Sequence, residues 1–360
     1  MKGGPAPGAL TGLVAVVGFE GALLAELGLG AKSDGPRWPG LVTTRRPVSL
    51  PDPAFALQLL PNAVQVAGDS VRQLVETADA ALAEQLESST GPIRLHAFVP
   101  DRIAYRNVAG RAALLESGFV EHLRAHRRRV SRRLLAPEGS AGAGASPVAT
   151  GEGPLLQVQL ALVGRSSLLV SAAHPQPLPT GGSNLSPFAA GTAPVPEDRA
   201  APSRAYRKLV EGFAWMDTAP SAGQTCVDLG GAPGGWAFTA LSRGAQVTAV
   251  DRSPLAPPAA GHPQLAMVIG NAFSYRPAAP VDWLLCDVIC EPAKTIALVE
   301  QWVAEGLCRN VVATLKFKGT SDYPAIAQAR ATLARQGWPF LRIKHLRNHN
   351  NEAVILMRRA

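Results

Sequence analysis

Apolar positions along this 360-residue chain fall first into short runs broken by helical spacings. Leu13 to Val17 is a compact apolar run that predicts a strand. Phe19 to Leu27 then shifts to helical spacing and stops at Gly28, a residue suited to the left-handed turn that ends helices. Leu41 to Thr44 and Ala63 to Ala67 predict further strands, Ser70 to Leu86 a long amphipathic helix, and Ile93 to Val99 another strand. Such a mixture reads as a small α+β module. Arg111 to Leu135 predicts a second long helix. Leu155 to Val163 and Ser167 to Ala172 alternate around Gly164-Arg165 and predict a hairpin.

Two stretches interrupt these patterns. Residues Pro137 to Gly153 are Gly, Ala, Ser and Pro with little apolar periodicity, and read as a flexible excursion. From His174 to Pro202 prolines and glycines recur, which predicts a connector between an N-terminal region and a C-terminal domain. Beyond it the pattern changes to apolar strands that end in a glycine turn or a charged residue: Thr225 to Leu229, Gln246 to Val250 before Asp251, Trp283 to Cys286 before Asp287, Val311 to Leu315 before Lys316, and Ala353 to Met357 after Glu352. An α/β class follows for this part, because open parallel sheets gather their chemistry at the carboxyl ends of strands.

Length and composition narrow the picture. A chain this long supports two or three domains, and 47% apolar residues can fill their cores. No run of about 18 apolar residues marks a membrane span, and the start lacks the layout of a signal peptide, so a cytoplasmic location without membrane attachment is expected. Cys226, Cys286, Cys290 and Cys308 form no Cys-x-x-Cys pair, which predicts reduced, buried thiols and no metal. The net charge of +8 and pI near 9.7 point to a polyanionic partner. Positive charge is densest at Arg124, Arg127, Arg128, Arg129, Arg132 and Arg133, where RNA phosphates are expected, although a solvated helix face would carry the same charges.

The segment Asp228-Leu229-Gly230-Gly231-Ala232-Pro233-Gly234-Gly235-Trp236 joins a strand to a helix, Ala237 to Ser242, through a glycine-rich turn. Such a turn lets the backbone approach a ligand, and Asp251, about twenty residues on, is placed to accept hydrogen bonds from ribose hydroxyls. A dinucleotide enzyme could use the same parts, but the spacing differs from Gly-x-Gly-x-x-Gly. The whole segment resembles the donor-binding motif of the FtsJ-like, Rossmann-fold RNA ribose methyltransferases.

That resemblance implies S-adenosylmethionine as cofactor. It implies donor contacts from Ser203, Asp228, Gly230, Ala232, Pro233, Gly234, Gly235, Trp236, Asp251, Asn271 and Asp287. Asn271 stands where the family usually places an aspartate against the adenine, and its amide carbonyl can still accept from the adenine amino group. The family's Lys, Asp, Lys, Glu set maps onto Lys208, Asp287, Lys316 and Glu352. Lys316 is the expected general base. An ordinary lysine, with pKa about 10.4, is protonated near neutral pH, so a second lysine at Lys208 and partial desolvation are expected to favour its neutral form, with Asp287 and Glu352 orienting the ammonium and the ribose.

A narrower resemblance runs from about residue 183 to the end. Asn184-Leu185-Ser186-Pro187-Phe188, Ala201-Pro202-Ser203-Arg204, Cys286-Asp287-Val288-Ile289-Cys290-Glu291-Pro292-Ala293-Lys294 and Gln301-Trp302-Val303 look like the bacterial large-subunit ribosomal RNA ribose 2′-O-methyltransferase M family. It implies a ferredoxin-like segment over 1–62, a THUMP-like RNA-binding region over 63–175, a linker over 176–202 and the methyltransferase domain over 203–360. The implied substrate is a cytidine of large-subunit ribosomal RNA, and a monomer is expected. A tRNA target, a catalytically silent RNA-binding relative and a nicotinamide enzyme remain open as alternatives.

Overall fold

The computed structural model describes residues 10–30, 34–136 and 152–359. Contacts divide the chain into two units, Met1–Pro177 with Ser183–Thr192, and Leu178–Gly182 with Ala193–Ala360.

The N-terminal unit contains β1 (Leu10–Val14), α1 (Glu20–Glu26), β2 (Arg37–Trp38), β3 (Leu41–Thr44), β4 (Gln58–Ala67), α2 (Val71–Ser88), β5 (Ile93–Phe98), α3 (Gly110–His126), α4 (Arg128–Ser131), β6 (Leu156–Gly164) and β7 (Ser167–Ala173). Its strands form one sheet in the order β2-β3-β1-β4-β7-β6-β5. The expected division at 62/63 therefore falls inside β4, which pairs with β1 through its first half and with β7 through its second. The predicted 164–165 hairpin joins β6 to β7 in antiparallel register. Ser70 caps α2 by accepting the Gln73 N–H at 3.1 Å, while the Gln73 side chain accepts from Asp69 N at 2.7 Å, a reciprocal cap that fixes the helix start. Leu74, Ala78, Leu82 and Leu86 recur every fourth residue on α2 and pack with Leu115, Phe119 and Leu123 of α3 in the core.

Two expectations are corrected in this unit. The helix predicted over 111–135 breaks at Arg127, whose backbone (φ −132°, ψ 62°) leaves the helical region between α3 and α4. The guanidinium at the break reaches α2, with Nε 2.5 Å from Asp79 Oδ1 and Nη1 2.5 Å from Glu87 Oε1, and His122 Nε2 lies 3.1 Å from the other Asp79 oxygen. The stretch over 176–202 is also no free linker. Buried Gln58 exchanges hydrogen bonds with Ser186, each at 2.9 Å, and Gln157 donates to the Ser186 carbonyl, because amides taken out of water need partners. The flexible excursion expected at 137–153 lies almost wholly outside the described residues.

The C-terminal unit contains α5 (Tyr206–Met216), β8 (Thr225–Leu229), α6 (Gly235–Leu241), β9 (Gln246–Asp251), β10 (Leu265–Ile269), β11 (Val281–Cys286), α7 (Pro292–Ala304), β12 (Cys308–Lys316), α8 (Pro324–Ala334), β13 (Phe340–Lys344) and β14 (Glu352–Arg358). Its sheet has the order β10-β9-β8-β11-β12-β14-β13. The first five strands in that order are parallel, β14 runs antiparallel to them, and β13, antiparallel to β14, returns to their direction. Strand order reverses at β8, so the crevice at the ends of β8 and β11 is where an open α/β sheet holds ligands. Among the described residues no helix is long and apolar enough to cross a membrane.

Arg127→Ala leaves the buried Asp79 without its guanidinium and is expected to lower unfolding free energy by about 1–3 kcal/mol. Arg128→Ala, one residue on and exposed, is expected to cost less than about 0.5 kcal/mol. Urea denaturation of the two variants checks the difference.

Candidate active site

Four strand or helix ends converge in the C-terminal unit. Asp287 follows β11, tied to the sheet by its N–H to the Leu229 carbonyl at 3.1 Å. Lys316 ends β12, and the antiparallel register sets it opposite Glu352, the first residue of β14. Lys208 reaches in from the first turn of α5. All four residues predicted for catalysis thus meet in one cluster.

Lys208 Nζ lies 3.1 and 3.0 Å from the two Asp287 oxygens and 3.0 Å from Glu352 Oε1. Lys316 Nζ lies 2.9 Å from Asp287 Oδ1. Thr314, buried on β12 two residues before Lys316, donates its hydroxyl to the same oxygen at 2.7 Å. Burial alone would raise the Asp287 carboxyl, but the ammonium groups of Lys208 and Lys316 and the hydrogen bonds from Lys316 and Thr314 outweigh it and hold it below the usual carboxylate range. Burial likewise opposes the Lys208 charge, yet Asp287 and Glu352 more than offset this and hold its ammonium above the usual lysine value. The two lysines share Asp287, one of the two carboxylates expected to orient the ammonium. Lys208 is the more enclosed, with 12% of its side chain exposed against 22% for Lys316.

The glycine turn lies beside this cluster. Gly230 (φ 78°) and Gly234 (φ 115°) adopt backbone that other residues rarely hold. A side chain at Gly230 would run into Val288, one residue past Asp287, at 2.9 Å. The site fits a donor with cationic and hydroxyl groups. The Ser203 hydroxyl and both Asp228 carboxyl oxygens are buried without a well-formed hydrogen bond, the Ala237 N–H being the one donor that approaches Asp228, which costs free energy until a partner arrives. Burial pushes the Asp228 carboxyl up to about 8, Asp287 and Asp251 add to that shift, and the Ala237 N–H opposes it. Asp251 Oδ2 accepts from Ala232 N at 3.2 Å and Oδ1 from Ser253 N at 2.9 Å, which leaves acceptor capacity for a ribose.

Some expected donor contacts have other work. Trp236 is buried, and its indole N–H donates to the Ala205 carbonyl at 2.9 Å, so it fastens the approach to α5 instead of presenting a polar group to a ligand. Asn271 is exposed, and its carbonyl already accepts the Phe273 N–H at 3.1 Å in a local turn. Among the six arginines singled out for RNA, Arg127 is spent on Asp79 and Glu87. Arg133 donates to the carbonyls of Ser89, Gly91 and Leu86. Arg124, Arg128, Arg129 and Arg132 are exposed.

Sequence reasoning missed Thr314, which strand alternation places on the face of Lys316. It also missed Glu211, one turn beyond Lys208 on α5, and buried His349, whose Nδ1 lies 3.9 Å from Glu352 Oε1. Cys226, Cys286 and Cys308 are free and buried, and burial pushes their thiols up to about 12.

Comparison with known proteins adds a family to this geometry. Residues 201–322 match the model of the FtsJ-like methyltransferases. The chain is 38% identical over 164 residues to a ribosomal RNA large subunit methyltransferase M of Thauera aminoaromatica, covering 43% of this chain and 45% of that protein. The protein of the same description from Aromatoleum aromaticum is 37% identical over 166 residues, covering 43% and 45%. That from Laribacter hongkongensis is 33% identical over 223 residues, covering 58% and 60%. The match therefore spans between about half and three fifths of these relatives' length. Over its C-terminal part this chain is similar to the FtsJ-like methyltransferases and to the ribosomal RNA large subunit methyltransferase M proteins.

Proposed function

We propose that the chain transfers a methyl group from S-adenosylmethionine to a ribose 2′-hydroxyl of large-subunit ribosomal RNA, with cytidine as the target nucleoside. The observation that carries this reading is the buried cluster of two ammonium groups and two carboxylates set beside the glycine turn, with Asp287 common to both lysines. The relatives' description supplies the ribosomal RNA, and the cytidine rests on the family resemblance.

When bound, the donor supplies a methyl group already activated by a sulfonium. The chain's residues do the rest. Asp228 and Ser203 are placed to pair with its polar groups, and Asp251 with its ribose. Lys208, held by two carboxylates, stays charged and fixes Asp287 and Glu352. Lys316 has one carboxylate and the more open position, and is the amine that takes the proton. As the ribose hydroxyl accepts the methyl group, Lys316 Nζ would take its proton, with Asp287 and Glu352 holding the amine and the ribose in place. Fixed orientation matters as much as the base, since an in-line displacement tolerates little error in angle.

RNA affinity is assigned to the N-terminal unit, as a THUMP-like module that touches phosphates through Arg124, Arg128, Arg129 and Arg132. Backbone contacts of this kind position a substrate without reading its sequence.

Lys316→Ala is expected to lower transfer of labelled methyl to RNA by about 100-fold or more while donor affinity stays within about twofold, because the amine acts on the hydroxyl and not on the donor. Undiminished transfer would remove Lys316 from the mechanism. Asp228 yields a pH prediction. The folded chain keeps that proton to about pH 8, whereas an unfolded chain releases it near pH 4, so stability of the donor-free protein falls as pH rises through this window. Asp228→Asn abolishes that loss. Its melting temperature without donor is expected to exceed wild type at pH 8 by about 2 °C or more, with the gain shrinking toward pH 5, and its donor affinity is expected to drop.

A further inference from the structure

Glu211 is fully buried on α5, three residues and so about one helical turn beyond Lys208. Its carboxylate accepts from Arg347 N at 2.9 Å, from Asn348 N at 2.8 Å and from Asn348 Nδ2 at 2.9 Å. Burying a carboxylate is unfavourable unless donors surround it, and here every one of these donors comes from one turn between β13 and β14. Glu352 stands four residues after that turn. Lys208, on the same face of α5, binds Glu352 Oε1 at 3.0 Å. A single helix therefore grips one short segment at both ends, by Glu211 at residues 347–348 and by Lys208 at residue 352.

Between the two grips Asn350 is exposed and Asn351 half-buried. Leu346 and His349 are buried, and neither His349 ring nitrogen has a hydrogen-bond partner. Burial, with the charges of Lys208 and Lys316 and the nearby His345, holds His349 well below the usual histidine range, so it packs as a neutral ring 3.9 Å from Glu352. His345 Nε2 lies 2.8 Å from the Asn350 carbonyl and closes the turn. His349 makes no side-chain hydrogen bond to α5, and Asn351 is held by Phe317, to whose carbonyl its side-chain amide donates at 2.9 Å.

We propose that Glu211 is a positioning residue for methyl transfer: by holding the Arg347–Asn348 turn against α5 it fixes where Glu352 meets Lys208. It touches no reacting group, and its effect passes through Glu352. This rests on the methyltransferase reading for its catalytic consequence, but not for its structural one.

The test uses the full chain as wild type, Glu211→Gln, Glu352→Gln and the double variant. The amide of Glu211→Gln keeps one acceptor oxygen and turns an NH2 group toward the remaining donors. Expected for Glu211→Gln is a fall in kcat of about tenfold or more with donor affinity within about twofold of wild type. In the Glu352→Gln background the same change should alter kcat by less than about twofold, because the route is already cut. A loss of equal size in both backgrounds, or an unchanged kcat, overturns the proposal.

The second readout needs no turnover. The 13Cε resonance of Lys208 is titrated, in a site faced by Asp287, Glu352, Lys316 and His349. Loosening Glu352 removes a carboxylate from the ammonium, so the midpoint should move to lower pH in Glu211→Gln; an unmoved midpoint contradicts the proposal. If wild type transfers no methyl to RNA, the proposed function fails while this titration still decides the role of Glu211. Should Glu211→Gln not fold, Asn348→Ala, which removes only the side-chain donor, is put through the same measurements with the same expected directions.

Discussion

The carboxylate of Asp287 is the interaction on which the site depends. It lies at the end of β11, largely out of water, and accepts from Lys208, Lys316 and Thr314. Without it two ammonium groups would face one another in a low-dielectric crevice, where like charges repel far more strongly than in water. With it they are held in fixed positions on α5 and β12, and Glu352 completes the balance from β14. The site thus sets two lysines against two carboxylates, with Asp287 and Lys208 held charged by their neighbours.

The sheet explains why these residues and no others meet. Parallel strands β8, β11 and β12 all point their carboxyl ends to one edge, so Leu229, Asp287 and Lys316 arrive there by register alone. β14 runs the other way and begins where β12 ends, which delivers Glu352 to the same edge. Two aspartates on neighbouring strands then acquire opposite character. Asp287 is held charged by lysines, whereas Asp228, two residues before Gly230 and fully buried, has no such partner and holds its proton to about pH 8. One is suited to organising lysines and the other to receiving a ligand cation.

Much of this was legible in the sequence because it obeys local rules. Apolar runs ending in Asp287 and Lys316, and the strand-turn-helix through Gly230 to Gly235, announce themselves without any tertiary information. β13 was not legible, since Arg342 and Lys344 disguise a buried strand as a polar one; the fold accommodates them by laying both cations over the Trp215 ring, at 4.8 and 5.2 Å. The helix break at Arg127 was hidden for a related reason. Its cause is Asp79, 48 residues earlier, and no periodicity window spans that distance. Glu211 carried no signal in the sequence, because its partners at 347–348 lie 136 and 137 residues away along the chain.

The most direct test of the central claim is nucleoside analysis by mass spectrometry of RNA methylated by the purified chain with S-adenosylmethionine, using RNA from cells that lack this protein. The account predicts one new 2′-O-methylated nucleoside, confined to large-subunit ribosomal RNA and absent when Lys316 is alanine. A methyl group on a base, or a ribose methyl that appears equally with the Lys316 variant, would contradict it.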